Sequence, residues 1–303
     1  MRLDDLDPSG NINDQGRGGG GFRGFGGGGG GGIASLLIGL LPMLFGRKLG
    51  CGAIAIIAVV GFFIFNSGAL NFGGSGMSSG DSAQQGSSGN VACDTEAELF
   101  ACRVFTSTEQ TWTAIFREAG AQYRPAKLEF YQRGGRSGCG AAQSAMGPFY
   151  CPSDQGIYLD TSFFAQMEKQ MKAGGDFAYA YVIAHEMGHH IQTLTGTAAK
   201  VRQRQARAGK AEGNQLQVRM ELQADCYAGV WANRNKNRLE AGDVEEGMRA
   251  ANAIGDDNLM RQSGQRPVES MFTHGSSEQR MAALKRGLQS GDPQQCDFFK
   301  GVF

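Results

Sequence analysis

The chain has 303 residues, with 29 Lys and Arg against 29 Asp and Glu, so its formal net charge is zero. This balance argues against a nucleic-acid-binding protein, because such proteins carry a basic excess that pairs with phosphates. Glycine is unevenly distributed, with 26 of the 48 glycines in residues 1–90. These glycines come in runs without a three-residue period, which excludes a collagen-like chain. We therefore expect a glycine-rich N-terminal third joined to an ordinary globular domain.

The first 32 residues are dominated by glycine. They contain fourteen glycines and only two aromatic residues, Phe22 and Phe25. Such a segment buries too little apolar surface to offset its backbone entropy. The composition therefore predicts that residues 1–32 form a disordered tail.

Two apolar runs follow the tail. The run within residues 33–48 is thirteen residues long and contains Pro42, whereas a membrane span needs about 20 residues. Residues 49–70 hold a longer uncharged run, preceded directly by Arg47 and Lys48. The positive-inside bias then predicts one transmembrane anchor at 49–70, with the N-terminus in the cytoplasm. A cleaved signal peptide is the alternative, disfavoured by the long region before the run.

The composition changes again after the anchor. Residues 71–90 are rich in serine, glycine and glutamine, which is typical of a flexible linker. Residues 91–303 are expected to form one extracytoplasmic domain. This arrangement predicts a single-pass protein of the cell membrane, with its globular domain in the periplasm or outside the cell. The membrane is thus an expected partner, and nucleic acid is not.

Six of the seven cysteines lie in the globular part. An even number in an oxidising compartment indicates three disulfides, for which fifteen connectivities exist. Six buried free thiols are the alternative. Proximity along the chain favours joining neighbours and leaves the last two for each other: Cys93–Cys102, Cys139–Cys151 and Cys226–Cys296.

Apolar residues at helical spacing dominate the globular part. Helices are predicted over 94–119, 162–172 and 177–193, and over most of 215–289 with breaks. Strands are predicted over 127–132, 138–150 and 156–160. One small sheet among many helices is the pattern of an α+β fold.

The sequence His185-Glu186-Met187-Gly188-His189 is an HExxH motif within the predicted helix 177–193. Residues four apart lie on one face of a helix, so His185 and His189 can bind one metal ion. Glu186 lies beside that face, where it can act as general base toward a water. The alternative is an ordinary helix that carries surface histidines.

A pair of carboxylates follows downstream, Glu221 and Asp225, in a helix predicted over 218–231. Glu221 can complete a His₂Glu zinc site that leaves a fourth position open. Asp225, one turn further, can accept the N–H of a ligand imidazole. The alternative is a solvated pair on an amphipathic face. The metzincin class is excluded, because Gln192 and Thr195 replace its Gly and third His.

An HExxH motif followed by a helix with ExxxD resembles the gluzincin metallopeptidases. More closely, residues 91–303 resemble the putative neutral zinc metallopeptidase family of bacteria, and the N-terminal third with a single anchor also suits that family. The segments that carry the resemblance are Phe149–Pro152, Ile157–Asp160, His185–His189, Glu221–Cys226 and Phe272–Arg280. The resemblance implies a minimal gluzincin-like fold, one zinc ion per chain and a membrane-anchored peptidase.

The chemistry assigns roles to these residues. His185, His189 and Glu221 are the predicted zinc ligands, and Glu186 is the predicted general base and acid. The oxyanion of the reaction needs a further donor. His274 is proposed for it because its segment is similar to a downstream histidine segment of gluzincins. The alternatives for that donor are Arg280 and Tyr227, and His274 could equally be a capping residue before a helix.

The leading functional hypothesis is a zinc-dependent endopeptidase that acts on a peptide or protein substrate. A catalytically silent zinc-fold scaffold is a second hypothesis, disfavoured because Glu186 is present. A zinc hydrolase of non-peptide amide bonds is a third. The basic stretch 200–210, between the two predicted zinc helices, is expected to be an exposed loop.

Overall fold

A computed structural model of the protein describes residues 1–16 and 92–303. The short apolar segment predicted at 33–48, the anchor at 49–70 and most of the linker at 71–90 lie outside the described residues. Within the described residues, no helix combines the length and the apolar character needed to cross a bilayer. The globular part has the predicted α+β fold, but a transmembrane helix in front of it is not supported.

Eight α-helices occur in the described part of the chain. They are α1 (Glu96–Glu118), α2 (Ser162–Lys169), α3 (Asp176–Leu194), α4 (Thr197–Gln205), α5 (Lys210–Arg234), α6 (Asp243–Ala253), α7 (Asp256–Gln262) and α8 (Ser277–Ser290). The HExxH helix α3 packs against α1, α4, α5 and α6, and α5 also packs along α8. The helix predicted over 218–231 is longer at both ends, and α4 covers half of the basic stretch predicted as a loop.

One four-stranded sheet lies beside this helical core. Its strand order is β1 (Ile12–Asp14), β2 (Lys127–Phe130), β6 (Gly156–Leu159) and β5 (Phe149–Cys151). The first three strands are parallel, and β5 is antiparallel to β6. A separate hairpin joins β3 (Gly134–Ser137) to β4 (Gly140–Gln143). The single strand predicted over 138–150 is therefore wrong, because a tight turn breaks the segment and its end joins the other sheet.

Local sequence accounts for the ends of the helices. Thr95 and Glu98 form a capping box at the start of α1, each accepting a hydrogen bond from the backbone amide of the other. Ser276 and Gln279 repeat this arrangement at the start of α8. Gly291 ends α8 in the left-handed conformation, with φ of 60°. These signals can be read from sequence, and the predicted ends of α1 and α3 lie within two residues of the observed ones.

Close helix contacts position the two motif helices. A Cβ placed on Gly188 of α3 would lie 2.9 Å from Cα of Ala224 on α5. A Cβ on Gly287 of α8 would lie 1.9 Å from the carbonyl oxygen of Cys226 on α5. Only glycine allows backbones to approach this closely. The helix that carries Glu221 is thus held against the HExxH helix on one side and α8 on the other.

Three disulfides stabilise the described part of the chain, with the connectivity that chain proximity favours. Cys93–Cys102 links the chain before α1 to that helix, and Cys139–Cys151 links the hairpin to β5. Cys226–Cys296 joins α5 to the C-terminal segment. The predicted set of bridges is confirmed.

The first sixteen residues are part of the folded domain. Met1, Leu3 and Leu6 are buried in the main hydrophobic core, and β1 pairs with β2. Residues 1–16 therefore do not form the disordered tail predicted for residues 1–32. The prediction failed because it averaged over glycines that come mostly after residue 16, and because the surface covering Leu3 and Leu6 comes from distant parts of the chain.

This packing also corrects the predicted location. Residues 1–16 and 92–303 share one sheet and one core, so they lie on the same side of any membrane. A cytoplasmic N-terminus with an extracytoplasmic domain behind a single membrane crossing is incompatible with that contact. The single-pass arrangement predicted from the charge bias is wrong.

Candidate metal centre

The structure brings His185, His189 and Glu221 together. Both histidines project from α3 toward α5, because they are one helical turn apart. The Nε2 atom of His185 lies 3.2 Å from Oε2 of Glu221, and Nε2 of His189 lies 3.6 Å from the same oxygen. One ligand atom from each residue lies within 4.8 Å of the others. These are the three residues predicted as metal ligands.

The arrangement fits a tetrahedral metal ion. Zinc bonds of about 2.0–2.1 Å at tetrahedral angles place neighbouring ligand atoms about 3.3 Å apart. The two distances to Glu221 lie close to this value. The imidazole rings of His185 and His189 are steeply inclined, at 87°, so their Nε2 atoms converge without ring stacking. The donor set of two imidazoles and one carboxylate is one that zinc prefers.

Outer hydrogen bonds hold the ligands in place. His185 Nδ1 is 2.7 Å from Oδ1 of Asp225, and His189 Nδ1 is 2.9 Å from Oε1 of Gln192. Because both acceptors are oxygens, each ring donates through Nδ1 and keeps the lone pair of Nε2 for a metal. Gln217 donates to Oε1 of Glu221 over 2.8 Å. Asp225 thus occupies the supporting position predicted for it.

Asp225 belongs to a buried network. Arg280 on α8 binds it through two nitrogens, each at 2.8 Å, and the Tyr181 hydroxyl donates to it over 2.6 Å. Burial opposes ionisation of Asp225, but Arg280 and His185 outweigh burial and lower the pKa of its carboxyl to about 2. Arg280 was an alternative oxyanion donor in the prediction. The structure instead commits it to this carboxylate.

The same charges act on the metal ligands themselves. Burial alone would lower the pKa of His185, but Asp225 and Glu221 raise it to about 10. Burial would raise the pKa of Glu221, yet His189, His185 and His274 hold it well below its usual range. Protons and a metal ion therefore compete for this centre, and metal binding releases protons.

Glu186 lies next to the three ligands and is itself buried. Burial raises the pKa of its carboxyl, while His189 and His185 oppose that rise. The backbone amide of Tyr150, on the edge strand β5, also favours the ionised form of this carboxylate. The candidate base thus lies on α3, which packs against β5, and it is close to the ligand residues.

His274 comes close to the centre from the loop before α8. Its imidazole is near enough to Glu221 to lower the pKa of that carboxyl. Its Nδ1 lies 3.0 Å from Oδ1 of Asp256, whose other oxygen accepts the backbone N–H groups of Thr273, His274 and Gly275. Tyr227, the other alternative donor, packs in the core with its ring 5.1 Å from that of Trp112.

Sequence reasoning missed the outer groups Gln192, Gln217 and Asp256. Gln192 and Gln217 are close in sequence to the ligands, so helical spacing could have found them. Asp256 is separated from His274 by eighteen positions, and no local pattern links the two. His190 follows His189 in the motif helix but does not join the three ligands: its ring nitrogens contact the Tyr150 hydroxyl at 3.1 Å and the Arg124 carbonyl at 2.7 Å.

A cluster of three carboxylates lies between the start of α3 and the first turn of α6. Asp176, Asp243 and Glu246 are close enough to hold an ion. The α-ammonium group of Met1 contacts both Asp176 and Asp243. This cluster consists of carboxylates alone and contacts a cationic group, so it differs from the His₂Glu centre.

Comparisons with known proteins agree with the site. The family model of putative neutral zinc metallopeptidases matches residues 1–299. The chain is 52% identical over 206 residues to "Uncharacterized protein YpfJ" of Escherichia coli K12, covering 67% of this chain and 72% of that protein. It is 38% identical over 215 residues to "Uncharacterized protein Rv2575" of Mycobacterium tuberculosis, covering 66% and 71%. No solved structure matches. The extent of the family match shows that the chain belongs to the putative neutral zinc metallopeptidase family, as its motifs predicted.

Proposed function

We propose that the protein is a zinc-dependent endopeptidase that hydrolyses peptide bonds of peptide or protein substrates. The observation that carries the proposal is the convergence of His185, His189 and Glu221, with the Glu186 carboxylate beside them on α3. A site that only held a structural metal would have no use for a buried carboxylate next to its ligands.

His185, His189 and Glu221 would hold the zinc ion. When bound, zinc supplies a Lewis acid that polarises the substrate carbonyl and lowers the pKa of a water to about 7. Glu186 accepts the proton of the attacking water and later delivers it to the leaving amine nitrogen. The Tyr150 amide favours the ionised form of Glu186, which is the form that accepts this proton.

His274 is proposed to stabilise the oxyanion. Asp256 engages its Nδ1 and thereby orients the ring, so Nε2 is the atom that His274 can present to a substrate. The position of the ring close to Glu221 supports this role. The alternative donors Arg280 and Tyr227 are unsuited to stabilise the oxyanion, because both are buried in other contacts.

The experiment is hydrolysis of an unstructured protein by the purified, zinc-loaded full chain. The release of new amino groups measures the rate. We expect Glu186→Gln to retain zinc and to lower kcat by about 10²–10⁴-fold, because the general base is lost. Glu212→Gln, on the exposed first turn of α5, is the matched control and should retain activity. Equal rates for the wild type and Glu186→Gln would overturn the proposal, and a scaffold or another hydrolase would then be favoured.

A further inference from the structure

The N-terminal sixteen residues, called the docking segment below, contact the rest of the domain on several sides. We infer that they form a non-covalent docking module, which stays bound to residues 92–303 even when the chain between them is cut. The surface that holds them is thus a recognition site for a short strand-forming peptide with leucines at positions 3 and 6. This inference does not depend on the proposed peptidase activity.

Buried apolar side chains anchor the docking segment. Leu3 is 2% exposed and Leu6 is 9% exposed, and both belong to the core cluster that contains Tyr181 of the HExxH helix and Trp231 of α5. A surface segment that bound weakly would leave its apolar side chains partly in water. Removing the docking segment would expose this part of the core.

Backbone pairing adds a second, independent contact. Strand β1 runs parallel to β2, with Ile12 opposite Leu128 and Asp14 opposite Phe130. The Leu128 amide donates to the carbonyl of Asn11 over 2.9 Å, and the Gln15 amide donates to the carbonyl of Phe130 over 2.9 Å. Without β1, strand β2 would be an open edge of a largely parallel sheet, with unpaired amides and carbonyls. The docking segment closes that edge as an added strand.

Polar contacts fix the register of the docking segment. The Ser9 hydroxyl donates to Oε2 of Glu109 over 2.6 Å, and the Asn11 amide group donates to Oε1 over 3.2 Å. Glu109 is a buried carboxylate on α1, and these two donors satisfy both of its oxygens. Its hydrogen bonds therefore depend on the docking segment, which a merely adjacent tail would not supply.

Ion pairs of the first residues of the docking segment complement these hydrogen bonds. Asp4 lies 2.8 Å from Arg103 on α1, and Asp5 pairs with Arg238 in the turn that follows α5. The receiving surface is basic at the two positions where the segment is acidic. Apolar anchoring, strand pairing and charge complementarity thus act on one sixteen-residue peptide, which is the combination found at peptide-recognition sites.

A functional consequence follows for proteolysis. Cleavage between residues 17 and 91 would break the covalent link but leave the docking segment bound to residues 92–303. A single cut in that stretch therefore does not release the domain from its N-terminal part. Dissociation requires that Leu3 and Leu6 leave the core.

The test uses the full chain with a specific protease site inserted after Ser88. The folded protein is cleaved to completion, as judged on a denaturing gel, and then separated by native size-exclusion chromatography in detergent. We expect the N-terminal fragment to elute with the domain. Separate elution of the wild-type fragment would overturn the inference.

Two variants test whether the buried leucines of the docking segment hold the fragment. Leu3→Asp with Leu6→Asp should release the fragment after cleavage, and the milder Leu3→Ala should weaken retention by roughly 30-fold or more, since it leaves a cavity. Asp7→Asn, at an exposed position of the same segment, is the matched control and should be retained. All variants keep the apolar runs after residue 32. Retention of the double variant would therefore mean that those runs, and not the buried leucines, hold the fragment, and would also overturn the inference.

Discussion

Single residues around the metal centre show how its charges are balanced. Asp225 is completely buried, and an isolated carboxylate there would be costly. Burial removes the hydrogen bonds that water would donate to this carboxylate. The two nitrogens of Arg280 and the hydroxyl of Tyr181 replace them. Asp225 can therefore orient His185 in an apolar surrounding. Arg280 acts on the ligand through Asp225 and is a positioning residue.

Arg280→Lys tests this role, because lysine keeps the charge but cannot form the two-nitrogen fork. We expect zinc affinity to fall by about 10–100-fold, as for other changes to groups that support a metal ligand. Competition with a chelator measures the affinity directly. Arg261→Lys, in an exposed pair within α7, is the control. Equal zinc affinity for Arg280→Lys and the wild type would contradict the role.

Asp256 offers a pH-dependent test away from the metal ligands. Burial would raise its pKa, but the hydrogen bond and charge of His274, with backbone amides, lower it. A carboxyl whose pKa is lower in the folded state stabilises the fold above its unfolded pKa of about 3.9, and this stability is lost as pH falls further. Asp256→Asn should cost about 1–3 kcal/mol at pH 7.

Urea denaturation at pH 7, 5, 4 and 3 measures that cost. The difference between Asp256→Asn and the wild type should be present at pH 5 and should shrink below about pH 4. Glu278→Gln, an exposed carboxylate on α8, should change stability little at any pH. A difference that does not vary with pH would show that the Asp256 charge is not involved.

The site shows which residues local sequence could predict. His185, Glu186 and His189 are within one helical turn of each other, so spacing alone predicts their shared face. Asp225 follows from its spacing to Glu221. Arg280 was present in the prediction but with another role. Its partner is 55 positions away, and no periodicity indicates which buried carboxylate an arginine will meet.

At the scale of elements, small residues determine how closely the helices pack. Gly287 of α8 faces the α5 backbone next to Cys226, where a Cβ would come within 1.9 Å of a carbonyl oxygen. Such a contact forces the helices apart, since the neighbouring atom is backbone and cannot rotate away. The separation of α5 and α8 in turn sets the distance between Arg280 and Asp225.

Gly287→Ala should therefore destabilise the domain by about 1–3 kcal/mol, although alanine is the better helix former. Gly213→Ala is the matched control, because Gly213 lies in α5 with open space around its Cβ position. It should be neutral or stabilising by up to about 1 kcal/mol. Urea denaturation compares the two. A Gly287→Ala protein as stable as the wild type would contradict the close packing.

The helices were more predictable than the sheet. Long apolar periodicity located α1 and α3 to within two residues at each end. The stretch 138–150, predicted as one strand, holds β4 and most of β5, and β3 directly precedes it. The sequence does not separate these strands, because short glycine-rich strands carry no clear alternation. The basic stretch after residue 200 lacked an apolar stripe, yet Val201 packs inward from α4 and stabilises it as a helix.

At the scale of the whole molecule, residues 1–16 and residues 92–303 form one domain with a shared sheet and a shared core. Composition predicted separate compartments for the tail and the globular part, whereas Leu3 and Leu6 insert into the same core as the HExxH helix. Sequence averages cannot detect two leucines that are buried among core residues beyond position 92. The family, the α+β class and the disulfides could be predicted, because each rests on motifs or chain proximity.

Zinc binding by the full chain tests the central claim most directly. Native mass spectrometry of the wild type, Glu186→Gln and Glu221→Ala, each equilibrated with zinc and freed of excess metal, gives the number of ions per chain. We predict one zinc ion for the wild type and for Glu186→Gln, and loss of zinc from Glu221→Ala. Of these two glutamates, only Glu221 is a metal ligand. Full zinc occupancy in Glu221→Ala, or none in the wild type, would contradict the assignment of the His185, His189 and Glu221 centre.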